Sequence, residues 1–397
     1  MISFLHAADL HLGLRITRFA KEVTNRIREA RFQALEKVRE LAKSKQVHFV
    51  IIAGDLFDDH AVDADLARRA FDLLESFPCR VFILSGNHDP LLPGAVWDRP
   101  PWNQPEPKRV HVLRDARPVS VDSAATLFPC PVLRKTSLND PTRWIGEAAR
   151  DDSTIRVGIA HGSLRTREDL PADDHLIARQ AAQELKLDYL ALGHWHRRQI
   201  FRDPDGVERT AYCGVHEPIG FPGATEYRIG WLPYSSGKLS EFLDSGTGEI
   251  LHVQIDRPGA PPAINAIEVR HLIWADEAHT LSTEAELARL IDEIATRPET
   301  ERRLLRLKLT GILDAGAMAR LDHLREVLQR YLLGEVDQKD LHIQPTEDEI
   351  HAVAGQGVLR RVLETLRQEA RTQENGANLV AERAMLLLYQ IAREVSA

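Results

Sequence analysis

Five largely continuous apolar runs mark the first half of the chain, at residues 2–8, 49–53, 80–85, 155–160 and 187–192. Runs without alternation predict strands buried on both faces, as in an open α/β sheet. Between the first two, Ile27, Ala30, Ala34, Val38 and Leu41 carry the spacing of an amphipathic helix, and a second helix is predicted over 63–76. Residues 90–107 hold six prolines with Trp97 and Trp102 and no period, so they read as a loop. The β-rich runs and turns from 206 to 255, Ser235-Ser236-Gly237 among them, predict the second sheet of a β-sandwich.

A linker at 256–262, with Pro258, Pro261 and Pro262, separates this region from a different pattern. A strand near 267–271 precedes a helix opened by the capping box Thr283 and Glu286, with Leu287, Leu290, Ile291 and Ile294 on one face. The alternation Leu305-Arg306-Leu307-Lys308-Leu309 predicts a half-buried strand; a helix with Met318, Leu321, Leu324 and Leu328 and a third strand at 341–343 follow. Arg306 and Lys308 face outward there, either to grip a polyanion or as an ordinary solvated strand face. The tail carries two helical stripes, Leu359, Val362, Leu363 and Leu366, then Val380, Ala384, Leu387, Leu388, Ile391 and Val395, broken at Asn375-Gly376. The expected organisation is an α/β domain over 1–257, a small α+β domain of βαβαβ type over 263–345 and a helical segment over 346–397.

Each of the five runs ends in residues able to bind metal: Asp9-Leu10-His11, Gly54-Asp55, Gly86-Asn87-His88-Asp89, Ala160-His161-Gly162 and Gly193-His194-Trp195-His196. All five are expected at one sheet edge, where open α/β folds place their chemistry. A set of Asp, Asn and His without cysteine is hard to borderline and suits manganese, iron, magnesium or zinc. Two divalent ions about 3.5–4 Å apart need a bridging carboxylate, and Asp55 is the natural bridge. Asp9, His11 and His196 then complete one ion, and Asn87, His161 and His194 the other. His88 and Asp89 remain, a histidine with a neighbouring carboxylate to hold it, suited to general acid catalysis or phosphate positioning.

These residues resemble the five phosphoesterase motifs of the calcineurin-like metallophosphoesterase superfamily. Asp9-Leu10-His11-Leu12-Gly13, Gly54-Asp55-Leu56-Phe57-Asp58 and Gly86-Asn87-His88-Asp89 are most similar to DNA repair exonucleases of the SbcD type, whereas the protein phosphatases of the superfamily place Gly directly after Asp-x-His and end the third motif in Glu. The resemblance covers residues 1 to about 245. It implies a four-layer β-sandwich flanked by helices, in-line attack of an activated water on phosphorus, and assistance by His88 at the phosphate or leaving group. It further implies two ions, usually manganese, a DNA phosphodiester as substrate, a capping role for 263–345 and docking of the C-terminal helices on an SbcC-type coiled-coil ATPase. One departure stands out: Val215-His216-Glu217-Pro218 replaces the small polar run expected after Tyr212-Cys213-Gly214, and a structural turn is the expected role of His216 and Glu217.

Composition narrows the setting. With 397 residues and 43% hydrophobic content the chain can bury more than one core. The first strand starts at once, without a leader pattern, and no apolar run reaches membrane-spanning length, so a cytoplasmic protein without a membrane partner is expected. Cys79, Cys130 and Cys213 are few and scattered, which predicts reduced core thiols. A net charge of −8 supplies no global attraction for DNA, so phosphate contacts must come from local cations beyond the motif ends: Arg15, Arg18, Arg165, Arg167, Arg197 and Arg198. The reading is a two-metal DNA phosphodiesterase, exonuclease or endonuclease, of double-strand-break processing, compatible with a homodimer. A phosphoesterase for small nucleotides and a DNA-end-binding scaffold are the alternatives, opposed by the extra α+β domain and by the complete ligand set respectively. The loop at 90–107, beside Asn87 and His88, is either plain surface or a lid or base-stacking segment.

Overall fold

The computed structural model describes residues 1–104, 108–121, 124–148, 153–221 and 246–343, with a few single residues between 361 and 388. Two compact units divide the chain, Met1–Trp274 and Ala275–Ala397. In the first, β1 (Ile2–Ala7) leads into α1 (Lys21–Ser44), β2 (Phe49–Ala53), α2 (Ala64–Glu75), β3 (Arg80–Leu84) and β4 (Val110–Val112). There follow β5 (Val119–Ser120), β6 (Ala125–Cys130), β7 (Ile155–His161), α3 (Ala181–Glu184), β8 (Tyr189–Gly193), β9 (Gln199–Arg202), β10 (Glu208–Tyr212), β11 (Glu249–Ile255) and β12 (Ala263–Glu268). These form two six-stranded sheets, in the orders β12-β11-β1-β2-β3-β4 and β5-β6-β7-β8-β10-β9.

The continuous apolar runs divide by period two. Leu5, Ala7, Val50, Ile52, Val81 and Ile83 pack under α1 and α2, whose Leu35, Val38, Ala70 and Leu74 complete that layer. Their sequence neighbours Phe4, Phe49, Ile51 and Phe82 point the other way, against Ile155, Val157, Ile159 and Tyr189 of the second sheet. Leu190 and Leu192 then face outward to Ala181, Ala182 and Leu187. A strand whose every residue is buried therefore feeds two cores at once, which is why the runs lack polar alternation. Side-chain capping starts α2, where Asp63 accepts from the amides of Asp65 at 2.9 Å and Leu66 at 3.3 Å.

Three expectations are corrected. The five ligand-bearing strands do not share one sheet: β1, β2 and β3 lie in the first, β7 and β8 in the second. All five are parallel to their ligand-bearing neighbours within each sheet, so their carboxyl ends still emerge together within each layer. The region 206–255 is likewise split, because β10 joins the second sheet while β11 runs antiparallel to β1 in the first. Residues 222–245, with the predicted turn at Ser235, lie outside the described residues. Third, the strand read near 267–271 is β12, which pairs with β11 and so belongs to the first unit.

In the second unit, β13 (Ile273–Leu281), α4 (Glu284–Thr296), β14 (Arg303–Leu313), α5 (Ala315–Ala319), α6 (Leu321–Leu328) and β15 (Leu333–Ile343) form a three-stranded sheet in the order β13-β14-β15 with helices between. The capping box at α4 is present, Thr283 Oγ1 accepting from the Glu286 amide at 3.2 Å and Glu286 from the Thr283 amide at 3.1 Å. Leu287, Leu290, Ile291 and Ile294 pack with Leu305, Leu307, Leu309, Leu321, Leu324 and Leu328 in one apolar core. Arg306 lies 3.4 Å from Glu335 and Lys308 3.3 Å from Asp340, so the outer face of β14 is an ion-paired solvated face. The two stripes of the C-terminal segment fall almost wholly outside the described residues. Among the described residues, no helix is long and apolar enough to cross a membrane.

Candidate metal centre

The segment after β1 is fastened to the segment after β2. The amides of Asp9, His11 and Leu12 donate to the carbonyls of Gly54, Asp55 and Leu56 at 3.1, 3.0 and 2.9 Å. Asp9, His11 and Asp55 all adopt left-handed backbone conformations, rare for such residues and typical of functional turns. Gly54 is required by space: a Cβ there would lie 2.1 Å from His161 Nδ1. At Gly86 it would lie 2.1 Å from Asp55 Oδ1. Both glycines let polar groups of neighbouring strands approach within bonding distance.

Around Asp55 the predicted ligands converge. Its Oδ2 lies 3.3 Å from His161 Nε2 and 3.8 Å from His11 Nε2, while Oδ1 accepts from the His88 amide at 2.9 Å. On one side His11 Nε2 faces His196 Nε2 at 3.1 Å, and Asp9, His11 and His196 bring ligand atoms within 4.8 Å of one another. On the other, Asn87 Oδ1 stands 2.8 Å from His161 Nε2 and 3.1 Å from His194 Nδ1. Asp9 also groups with Asp55 and His161 at the same limit, and its carboxylate accepts from the His194 amide at 3.0 Å. The structure therefore brings together the seven candidate ligands read from the sequence around Asp55, with Asp9 reaching both His11 and His161.

The electrostatics fit a cation site. Burial opposes ionisation of Asp55, but His161, His11 and His88 around it hold its carboxyl below the usual range. Burial would lower His161, yet Asp55 beside it pushes the imidazole up to about 9. His161 Nδ1 donates to the Ala53 carbonyl at 3.0 Å, which leaves Nε2 turned toward Asp55. Burial, and then His11, lower His196, which keeps that ring neutral and its lone pair available. Buried carboxylates, amide oxygen and imidazoles without a thiolate are the donors a hard to borderline divalent ion takes.

Two carboxylates missing from the predicted site hold the rings. Asp58 Oδ1 accepts from His11 Nδ1 at 3.2 Å, which turns His11 Nε2 inward, and the Asp58 carbonyl accepts from His88 Nδ1 at 3.0 Å. Asp174 Oδ1 lies 3.0 Å from His194 Nε2, so His194 faces Asn87 through Nδ1, unlike His11 and His161. Carboxylates of this kind fix the tautomer and direction of ligand histidines. Asp58 sits inside the second motif and was readable there. Asp174 lies in a loop with no periodic or motif signal. Arg31, wholly buried on α1, donates to the carbonyls of Leu10 at 2.7 Å and Glu217 at 3.1 Å and so steadies the first motif from behind.

The expected partnership of Asp89 with His88 is corrected. The Asp89 carboxylate is fully buried and accepts from the amides of Gly86 at 2.7 Å and Phe57 at 2.9 Å, bracing the second and third motifs against each other. Burial, with the Asp55 charge behind it, pushes its pKa well up. His216 and Glu217 are structural: His216 Nε2 donates to the Arg31 carbonyl at 2.9 Å and Glu217 accepts from the Leu272 amide at 3.0 Å. In the loop after the third motif, Trp97 and Trp102 are buried against Phe57 with centroids 5.8 and 5.4 Å away, so neither ring is free to stack on a base.

Comparison with known proteins agrees with this geometry. Residues 2–198 match the family described as calcineurin-like phosphoesterase. Over 242 residues, 57% of this chain, the sequence is 27% identical to the uncharacterized metallophosphoesterase YhaO of Bacillus subtilis, covering 54% of that protein. Over 300 residues, 64% of this chain, it is 28% identical to the SbcD component of the SbcCD nuclease of Escherichia coli K12, covering 69% of it. The chain thus spans about half the length of the Bacillus relative.

Proposed function

Residues 2–198 form a calcineurin-like metallophosphoesterase domain, and from that premise we propose that the chain is a two-metal phosphodiesterase acting on DNA. One observation carries the dimetal reading: the Asp55 carboxylate stands between two clusters, His161 at 3.3 Å and His11 at 3.8 Å, each with its own further ligands. Asp9, His11 and His196 would hold one ion, Asn87, His161 and His194 the other, and Asp55 would serve both. When bound, two such ions supply Lewis acidity toward phosphoryl oxygens and activate water near neutral pH. Manganese fits the donor set.

His88 is the residue left to handle a proton. Its Nδ1 donates to the Asp58 carbonyl, so in the doubly protonated ring Nε2–H is left to give its proton to the leaving oxygen or to bond a phosphoryl oxygen. The ring is only 23% exposed at its side chain and meets His11 edge to face at 4.7 Å, so its direction is fixed before substrate arrives. Asp58 is a positioning residue for both rings.

DNA as substrate is supported by the likeness to the Escherichia coli nuclease component, and by the extra α+β unit, which a small-nucleotide hydrolase does not need. That relative is a subunit of a nuclease, which supports a partner protein; a coiled-coil ATPase as that partner, a place in DNA end repair and a cytoplasmic location complete our reading. The test is direct. Purified protein stripped with EDTA and reloaded with manganese should bind two ions per chain and degrade linear DNA faster than mononucleotide diesters. One ion per chain, or the reverse substrate preference, would overturn it.

A further inference from the structure

The centre accounts for a scissile phosphate but not for the rest of a nucleic-acid strand. An acidic chain must attract that strand locally. Three of the arginines near the motif ends are already paired: Arg15 with Asp59 at 3.2 Å, Arg167 with Asp169 at 2.9 Å and Arg198 with Glu249 at 2.7 Å. Arg134 and Lys135 are different. Both are exposed, and neither has an acidic partner among the described residues.

Their segment leaves the carboxyl end of β6, which runs parallel to β7, so it emerges on the side where His161 ends its strand. It is fastened on two flanks to the centre. The Val132 amide donates to Ser85 Oγ at 2.9 Å and its carbonyl accepts from the Leu91 amide at 2.9 Å, bracketing Asn87 and His88. The Lys135 carbonyl accepts from buried His175 at 3.4 Å, and the Ser137 amide donates to the Asp173 carbonyl at 2.8 Å, next to the Asp174 that orients His194. His175 is itself pressed on Gly162, where a Cβ would meet its carbonyl at 2.3 Å. The cations flank two of the most exposed large apolar side chains of the first unit, Leu133 at 57% and Leu138 at 74% exposure.

Unpaired cations beside exposed leucines, on a rigid segment at the rim of a phosphodiesterase centre, match a polyanion with apolar faces. We infer that residues 133–138 form a strand-binding rim: Arg134 and Lys135 contact the phosphates that flank the scissile one, and Leu133 and Leu138 cover the sugar or base faces of unpaired nucleotides. This rests on the nuclease reading above.

The test uses the full chain loaded with manganese, a fluorescent single-stranded oligonucleotide and bis(p-nitrophenyl) phosphate. The double variant Arg134→Ala, Lys135→Ala should lower kcat/KM for the oligonucleotide about tenfold to a hundredfold more than for the small diester. Its binding should also lose about 0.7 in the slope of log affinity against log salt for each phosphate contact removed. Leu133→Ser with Leu138→Ser should weaken oligonucleotide binding at an unchanged slope. An unchanged slope and an unchanged ratio of the two kcat/KM values in the Arg134, Lys135 variant would overturn the rim assignment while leaving the nuclease reading intact. A parent protein that hydrolyses the small diester but neither binds nor cuts the oligonucleotide would overturn both.

Discussion

The two compact units treat charge in opposite ways. In Met1–Trp274 the strand ends bury Asp9, His11, Asp55, Asp89 and His161 almost completely. In Ala275–Ala397, no charged side chain is fully buried among the described residues; the core is apolar and the ions pair outside it, half-buried as Arg297 with Glu277 at 2.6 Å or exposed as Lys308 with Asp340 at 3.3 Å. Burying ionisable groups is unfavourable unless something compensates them. The first unit therefore spends stability on a site, while the second follows the rules of an ordinary folded core. Buried charge, more than charge content, locates the chemistry in this chain.

The sharpest way to break this contrast is at Asp55. Replacement with Asn should remove bound metal and reduce hydrolysis to background together, because one carboxylate serves both clusters; metal analysis that still finds two ions per chain would refute the bridge. Next in size is His88→Asn, which should keep the metal and lower turnover by about 10²–10⁴-fold. Loss of metal in that variant would make His88 a ligand. Asp58→Asn and Asp174→Asn leave every direct ligand in place yet release a ring each, so metal titrations should show affinity weakened about 10- to 100-fold. Wild-type affinity in both would mean that the rings are held by packing alone. The smallest effect belongs to the second unit: Arg306→Ala or Lys308→Ala should change unfolding free energy by less than about 1 kcal/mol, as exposed pairs do. A larger loss by denaturant titration, or a reduced salt slope for DNA binding, would show that β14 carries more than a solvated face.

Much of the site was legible because metal ligands are few residue types placed at strand ends. Asp9, His11, Asp55, Asn87, His161, His194 and His196 could be picked out as one candidate cluster, since period, glycine and ligand type coincide at each turn. Asp174 could not. Its carboxylate meets His194 across 20 positions and Ser163 across 11, and a loop aspartate offers no local pattern to mark it. Asp89 misled for the converse reason: adjacency in sequence to His88 said nothing about which amides its carboxylate would find. Trp97 and Trp102 lay in a proline-rich stretch that read as surface, but Phe57 and Phe71 offered them a core.

What the sequence by itself determined is whatever repeats at a fixed local period or depends on residue type alone: the buried strands, the capping box of α4, the donor set of the centre and the alternation in β14. Only the tertiary structure decided how the strands divide between two sheets, that β11 and β12 return to lie beside β1, and which carboxylate turns which imidazole. Those choices depend on contacts between residues far apart in the chain, whose geometry is fixed when the two sheets close on a shared core, and no local pattern encodes them.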